Sequence, residues 1–202
     1  MNKIENIIIC GVGAAGANTL LNLLYAFPNL NYTVVDFDKV ESRNWEAGTQ
    51  PYNKIDLNRP KTQAIQRIAM ALKEKKINAV NKRIESVKDL EELAPNPKNT
   101  LFIDAFDNAE SRNVFIKLKK GYNVIHIGFS LDLSGSAVWD NMFTEMKVSK
   151  KDANIDVCEM TIARPFILAL TSIASMTITK FLTEGVKEGV YFDRHFIIRK
   201  FI

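Results

Sequence analysis

A glycine-rich turn, set between a strand-like run and a helical pattern, constrains this chain more than any other feature. Residues 4–10 form an apolar, β-rich run that ends Ile7-Ile8-Ile9-Cys10. Gly11-Val12-Gly13-Ala14-Ala15-Gly16 follows at once, and Ala17 to Leu24 then place leucines at helical spacing. Glycines at this spacing permit a tight turn and let a phosphate approach main-chain amides where a helix begins. Aligned peptide dipoles leave partial positive charge there. A second apolar run, Tyr32-Thr33-Val34-Val35, ends in Asp36. Asp36 stands about 20 residues beyond the last glycine, where dinucleotide-binding folds place an acid that accepts ribose hydroxyls. A βαβ unit is therefore predicted, and NAD, FAD and ATP would each suit it.

Alternation continues downstream. Pro60 opens a helical pattern with Ile65, Ile68, Ala69 and Leu72 on one face, and Ile77 to Ile84 reads as a strand. Leu101 to Ala105 is a buried strand carrying Asp104, followed by a helix with Val114, Phe115 and Leu118 and by a strand from Asn123 to Gly128. From Ser134 to Met142 the period shortens towards two, which suggests a late antiparallel strand. Met146 to Val157 reads as a charged loop, residues 163–183 as a long helix, and Tyr191 to Ile202 as one last strand. Continuous apolar strands alternating with helices imply an α/β fold: a Rossmann-like, mainly parallel sheet with helices on both faces and late antiparallel strands. Glu41 to Arg59 is polar and is expected to form a long loop or short helix over the site.

Composition narrows the function classes. The chain has 202 residues, 47% hydrophobic and 25% charged, as expected of one globular domain spanning 1–202. Its net charge of +4 is scattered through Lys73–Lys76, Lys117–Lys120 and Lys147–Lys151, so nucleic-acid binding is not indicated. Cys10 and Cys158 are the only cysteines, too few for a disulfide framework or a cysteine-based zinc site. The amino terminus reads as a first strand and not as a signal peptide, and a cytoplasmic location is expected. Polar residues from Thr171 to Lys180 interrupt the stretch Pro165 to Leu182, which reads as a buried helix and not a membrane span.

Three further blocks give the glycine loop its meaning. Asp36-Phe37-Asp38-Lys39-Val40-Glu41-Ser42-Arg43-Asn44 resembles the Asp-x-Asp-x-Val-x-x-x-Asn block of the ThiF/MoeB branch of the ubiquitin-activating-enzyme-like superfamily. Pro60-Lys61 opening a helix is similar to that family too, as is Asp104-Ala105-Phe106-Asp107-Asn108 with Arg112-Asn113 a turn later. A nicotinamide enzyme needs none of these blocks. The resemblance implies that Gly11, Gly13 and Gly16 cradle ATP, that Asp36, with Asp38 nearby, holds its ribose, and that Asn44 and Lys61 reach its phosphates. It implies that Asp107 holds Mg²⁺; zinc is not expected, because the paired Cys-x-x-Cys motifs of many relatives are missing. The activity implied is adenylation of the carboxyl terminus of a ubiquitin-like protein or peptide, carried out by a homodimer.

The residues leave alternatives open. Lys61 also reads as a solvated lysine at a helix start, and Asp107 as a helix cap. Cys158 stands where some relatives keep a reactive cysteine, but the acids Asp156 and Glu159 beside it disfavour a thiolate, and it reads also as a structural thiol. The family usually sets an arginine just after the asparagine, where this chain reads Trp45-Glu46-Ala47-Gly48; Arg43 or Arg59 is the available substitute. That departure keeps a second reading in view, a relative that binds nucleotide or a partner and catalyses nothing. A NAD-dependent oxidoreductase is the third.

Overall fold

In the computed structural model, residues 3–118, 121–130, 132–144, 160, 162–195 and 197–201 are described. Eight strands form one sheet: β1 (Asn6–Cys10), β2 (Asn31–Asp36), β3 (Asn78–Asn81), β4 (Thr100–Asp104), β5 (Asn123–Phe129), β6 (Ser134–Trp139), β7 (Gly189–Asp193) and β8 (Ile198–Phe201). Their order is β3-β2-β1-β4-β5-β6-β7-β8. The first five are parallel and the last three antiparallel.

The helices are α1 (Ala14–Ala26), α2 (Ser42–Glu46), α3 (Lys61–Lys73), α4 (Val87–Leu93), α5 (Ala109–Ile116) and α6 (Ala163–Glu184). The parallel strands have two apolar faces because helices cover both. Ile7, Ile9, Val34, Leu101 and Ile103 join a core completed by α1, α3 and α6. Their sequence neighbours Ile8, Cys10, Val35 and Phe102 point the other way, into a core with Leu90 of α4 and Val114 and Phe115 of α5. This alternation is the two-residue period of a strand read on a doubly covered sheet. Helix α6 is long and apolar enough to cross a bilayer, with mean hydropathy 1.5, but half of that window is buried and the helix packs on α1, β6 and β7.

One expectation needs correction: Tyr191 to Ile202 is not one strand but a hairpin of β7 and β8. The Asp193 carboxylate accepts the amides of His195 at 2.8 Å and Ile197 at 3.2 Å, and so folds the chain back.

The order 3-2-1-4-5 creates the crevice that matters. Connections from β1 run through α1 on one face, and those from β4 run through α5 on the other, so the loops after β1 and β4 part at the carboxyl edge of the sheet. Ligands of open α/β sheets bind at such a switch point.

Candidate functional site

The loop after β1 is held on both sides by neighbouring strands. Gly11 N–H donates to Val35 O at 2.8 Å, and Ala105 N–H donates to Cys10 O at 2.8 Å. Gly11 has φ +88°, and a Cβ there would lie 2.7 Å from the Ala105 carbonyl oxygen. At Gly16 a Cβ would lie 1.9 Å from the Gly11 carbonyl oxygen, so this glycine lets helix and turn close on each other. Gly13 differs: a Cβ there would meet nothing within 4 Å. Helix α1 starts at that open position, with no side-chain cap and no acid in its first turn. Its first-turn amides therefore face an uncrowded cradle, which is what an anion requires.

Asp36 closes one side. It is 6% exposed, and its two carboxylate oxygens accept the amides of Val12 and Asp38, each at 2.8 Å. Burial pushes its pKa up, while the Lys61 charge and the two amides pull it down. Each oxygen keeps lone-pair capacity beyond its amide. Asp38 is the more open acid and pairs with Lys61 Nζ at 3.0 Å, the lysine side chain being only 11% exposed. Lys61 is thus no solvated lysine. Its own amide donates to Asp38 O, fixing the first turn of α3 beside the acid loop.

The segment 41–59 leans over the cradle as expected, and side chains tie it there. Tyr52, buried, donates its hydroxyl to Val12 O at 2.5 Å. Asn18 Nδ2 donates to both Ala14 O at 2.7 Å and Thr49 O at 2.8 Å. Arg164, at the start of α6, donates to the carbonyl of Gly48. Asn44 is buried, and its Oδ1 accepts the Glu41 amide at 2.8 Å, which leaves its Nδ2 for a ligand. Arg43 is half-exposed and pairs with Glu41 at 2.6 Å. Trp45 packs on the main core, whereas Phe37 is 42% exposed beneath the Arg83 guanidinium.

The loop after β4 closes the other side. Asp107 is exposed at its tip, and the cap of α5 is its neighbour Asn108, whose side chain accepts the Ser111 amide at 2.8 Å. Beneath lies a cluster that sequence reasoning left without a role. Asp104, fully buried, meets His126 Nδ1 at 2.7 Å, and Arg112 Nε approaches it to 3.4 Å, an ion-pair distance without hydrogen-bond alignment. The phenyl ring of Phe143 stacks on His126 with centroids 3.8 Å apart. No group of three metal-ligating side chains occurs among the described residues. Mg²⁺ commonly takes one or two carboxylates and completes its shell with water and phosphate oxygens, so the lone, open Asp107 fits such a role beside the cradle. Cys158 falls outside the described residues.

These features define a doubly covered α/β protein whose open glycine turn sits between two acid-bearing loops. The chain belongs to the ThiF family, whose model matches residues 2–190. Similar solved structures include E. coli MccB with ATP (TM-score 0.70, 17% identity, covering 99% of this chain and 64% of that one). E. coli MccB itself gives a TM-score of 0.74 at 14% identity, covering 98% of this chain and 62% of that one. PaaA gives 0.70 at 16% identity, covering 98% and 63%. At these identities the likeness establishes the fold, and this chain spans just under two thirds of the length of each. No curated protein matches the sequence significantly.

Proposed function

We propose that this chain binds ATP with Mg²⁺ and adenylates the carboxyl terminus of a ubiquitin-like protein or peptide. The observation that carries the proposal is the open cradle at Gly13 on an uncapped helix, flanked by Asp36, Asp38 and Lys61 on one side and by Asp107 on the other. Solved structures of the same fold support it, since E. coli MccB has been crystallised with ATP and the microcin C7 biosynthetic enzyme MccB with N-formylated MccA.

In this reading the ribose hydroxyls rest on the Asp36 and Asp38 carboxylates, and the triphosphate lies along the first turn of α1. A substrate carboxylate oxygen attacks the α-phosphorus, and the bond from that phosphorus to the bridging oxygen breaks. Pyrophosphate leaves with the electron pair. Charge grows on oxygens around the α-phosphorus and on the leaving group, so cations aimed there lower the barrier. Lys61 supplies one, held at the mouth by Asp38, and Asn44 Nδ2 supplies a neutral donor. Mg²⁺ held by Asp107 would neutralise phosphate charge. Homodimer formation belongs to the proposal, and the exposed Leu168 and Met176 on α6 offer apolar surface for it. Transfer of the acyl group to Cys158 would be a later step.

One observation favours the non-catalytic reading: Arg43, the nearest substitute for the missing arginine, is spent on Glu41. Calorimetric titration with ATP·Mg²⁺ and with NAD, followed by pyrophosphate exchange with candidate carboxyl-terminal peptides, tests both readings. ATP binding without NAD binding, and exchange abolished by Lys61→Ala, is the expected result. ATP binding with no exchange for any peptide replaces adenylation by simple nucleotide binding, and NAD binding alone overturns the proposal.

A further inference from the structure

Helices α1 and α6 run side by side in the same direction. Ala14 at the start of α1 shares an apolar cluster with Ala163, Phe166 and Ile167 at the start of α6, and about two to three turns further along Asn22 Nδ2 reaches Ser175 Oγ at 3.2 Å. Two helix amino termini therefore lie together at the edge of the sheet that holds the glycine cradle. Arg164 sits in the first turn of α6, and its guanidinium donates to the carbonyl of Gly48. The next residue, Thr49, is tied through Asn18 to the carbonyl of Ala14 in the first turn of α1. Its hydroxyl, buried and 2% exposed as a residue, has no hydrogen-bond partner among the described residues.

From this arrangement we infer that Arg164 is the cation that binds the polyphosphate of ATP at the cradle, taking the part for which residues 45–48 offer no arginine. This rests on the nucleotide reading given above. A neutral carbonyl holds the guanidinium in place without neutralising it, and no carboxylate among the described residues pairs with it. Neither α1 nor α6 carries an acid in its first turn. The charge thus adds to the two helix dipoles, and a polyanion is the ligand chemistry that such a field selects. The guanidinium also bridges two elements far apart in sequence, so phosphate binding would tighten the 47–50 strap over the site.

The test compares Arg164→Ala, Arg164→Gln and Arg164→Lys with the parent by titration with ATP·Mg²⁺ at low and high NaCl, with urea unfolding as a check on the fold. Glutamine keeps a donor for Gly48 but carries no charge. The expected result is that Ala and Gln each weaken ATP binding about tenfold to a hundredfold, as loss of a charge-assisted phosphate contact implies. Both should flatten its salt dependence, and Lys should keep most of the affinity. Gln binding like the parent would make the residue a loop latch and overturn the inference. Weakened binding with unchanged salt dependence would do the same, as would parental affinity in Arg164→Ala. A parent that binds no ATP overturns the nucleotide reading itself, whatever the variants do.

Discussion

Arg112 donates from one guanidinium nitrogen to the main-chain carbonyl of Phe106, 2.9 Å away, and so holds the loop that carries Asp107 down onto the sheet. The same nitrogen lies 3.2 Å from the Ile127 carbonyl of β5, and Nε lies beside the buried Asp104. Removing the side chain strips two buried acceptors of a donor and leaves Asp104 with only His126 and the Phe106 amide, at 3.2 Å, as partners. Arg112→Ala should therefore lose about 2–4 kcal/mol of stability in urea unfolding. Arg112→Lys should recover little, because a single ammonium cannot span the fork. Full stability in Arg112→Ala would mean that the clamp is not what fixes the loop.

Tyr52 tests the opposite wall. Its hydroxyl bonds the Val12 carbonyl in a buried setting, so Tyr52→Phe keeps the packing but leaves that carbonyl unpaired. A loss of about 1–2 kcal/mol is expected by denaturant unfolding, with weaker ATP binding because the glycine turn loses its brace. A variant as stable as the parent would show that water replaces the hydroxyl.

Much of this was legible in the sequence because it is local. The strand, glycine turn and helix at residues 4–24 are contiguous, and Asp36, Asp38 and Lys61 stand in ordered blocks whose spacing survives in the fold. The hairpin of β7 and β8 was missed because its turn carries no glycine or proline; only Asp193, capping two amides, marks it. The contact of His126 with Asp104 leaves no local signal, because the two are 22 residues apart and are set opposite each other by the parallel pairing of β4 and β5. Arg164 was hidden for the same reason, since Gly48 is 116 residues distant. Contacts made by sheet register and helix packing leave no periodicity to read.

Cys10 gives a pH-dependent outcome. It is fully buried, and burial, reinforced by the Asp104 and Asp36 charges, pushes its thiol pKa up. A thiol raised in the native state contributes stability that is present below its unfolded value, about pH 8.5, and is lost as pH rises beyond it. In a Cys158→Ser background, iodoacetamide should leave the native protein unmodified from pH 7 to 9 and label Cys10 only in denaturant. The fall in stability above about pH 8.5 should shrink in Cys10→Ala relative to this background. Rapid native labelling that speeds up with pH would contradict the buried, neutral thiol.

The glycines separate folding from binding most sharply. A Cβ at Gly16 would overlap the Gly11 carbonyl oxygen at 1.9 Å and press on Ala105 at 3.1 Å, so the backbone itself must move. Gly16→Ala should cost about 3 kcal/mol or more and broaden or abolish cooperative unfolding, the scale of a backbone clash in a packed turn. Gly13 has an extended backbone with φ −75°, which alanine adopts, and open space where its methyl would go. As the start of α1 it should lose about 0.5–1 kcal/mol, because glycine is preferred to alanine at a helix start but no capping side chain is removed. That methyl would nevertheless stand in the volume assigned to phosphate. Gly13→Ala should unfold much as the parent does and yet bind ATP at least about tenfold more weakly, since the anion can no longer reach the first-turn amides. Unfolding curves and calorimetric titration on the same preparations decide it. If Gly13→Ala binds ATP as the parent does, the phosphates do not lie over Gly13, and the cradle between the β1 and β4 loops is not where the nucleotide sits.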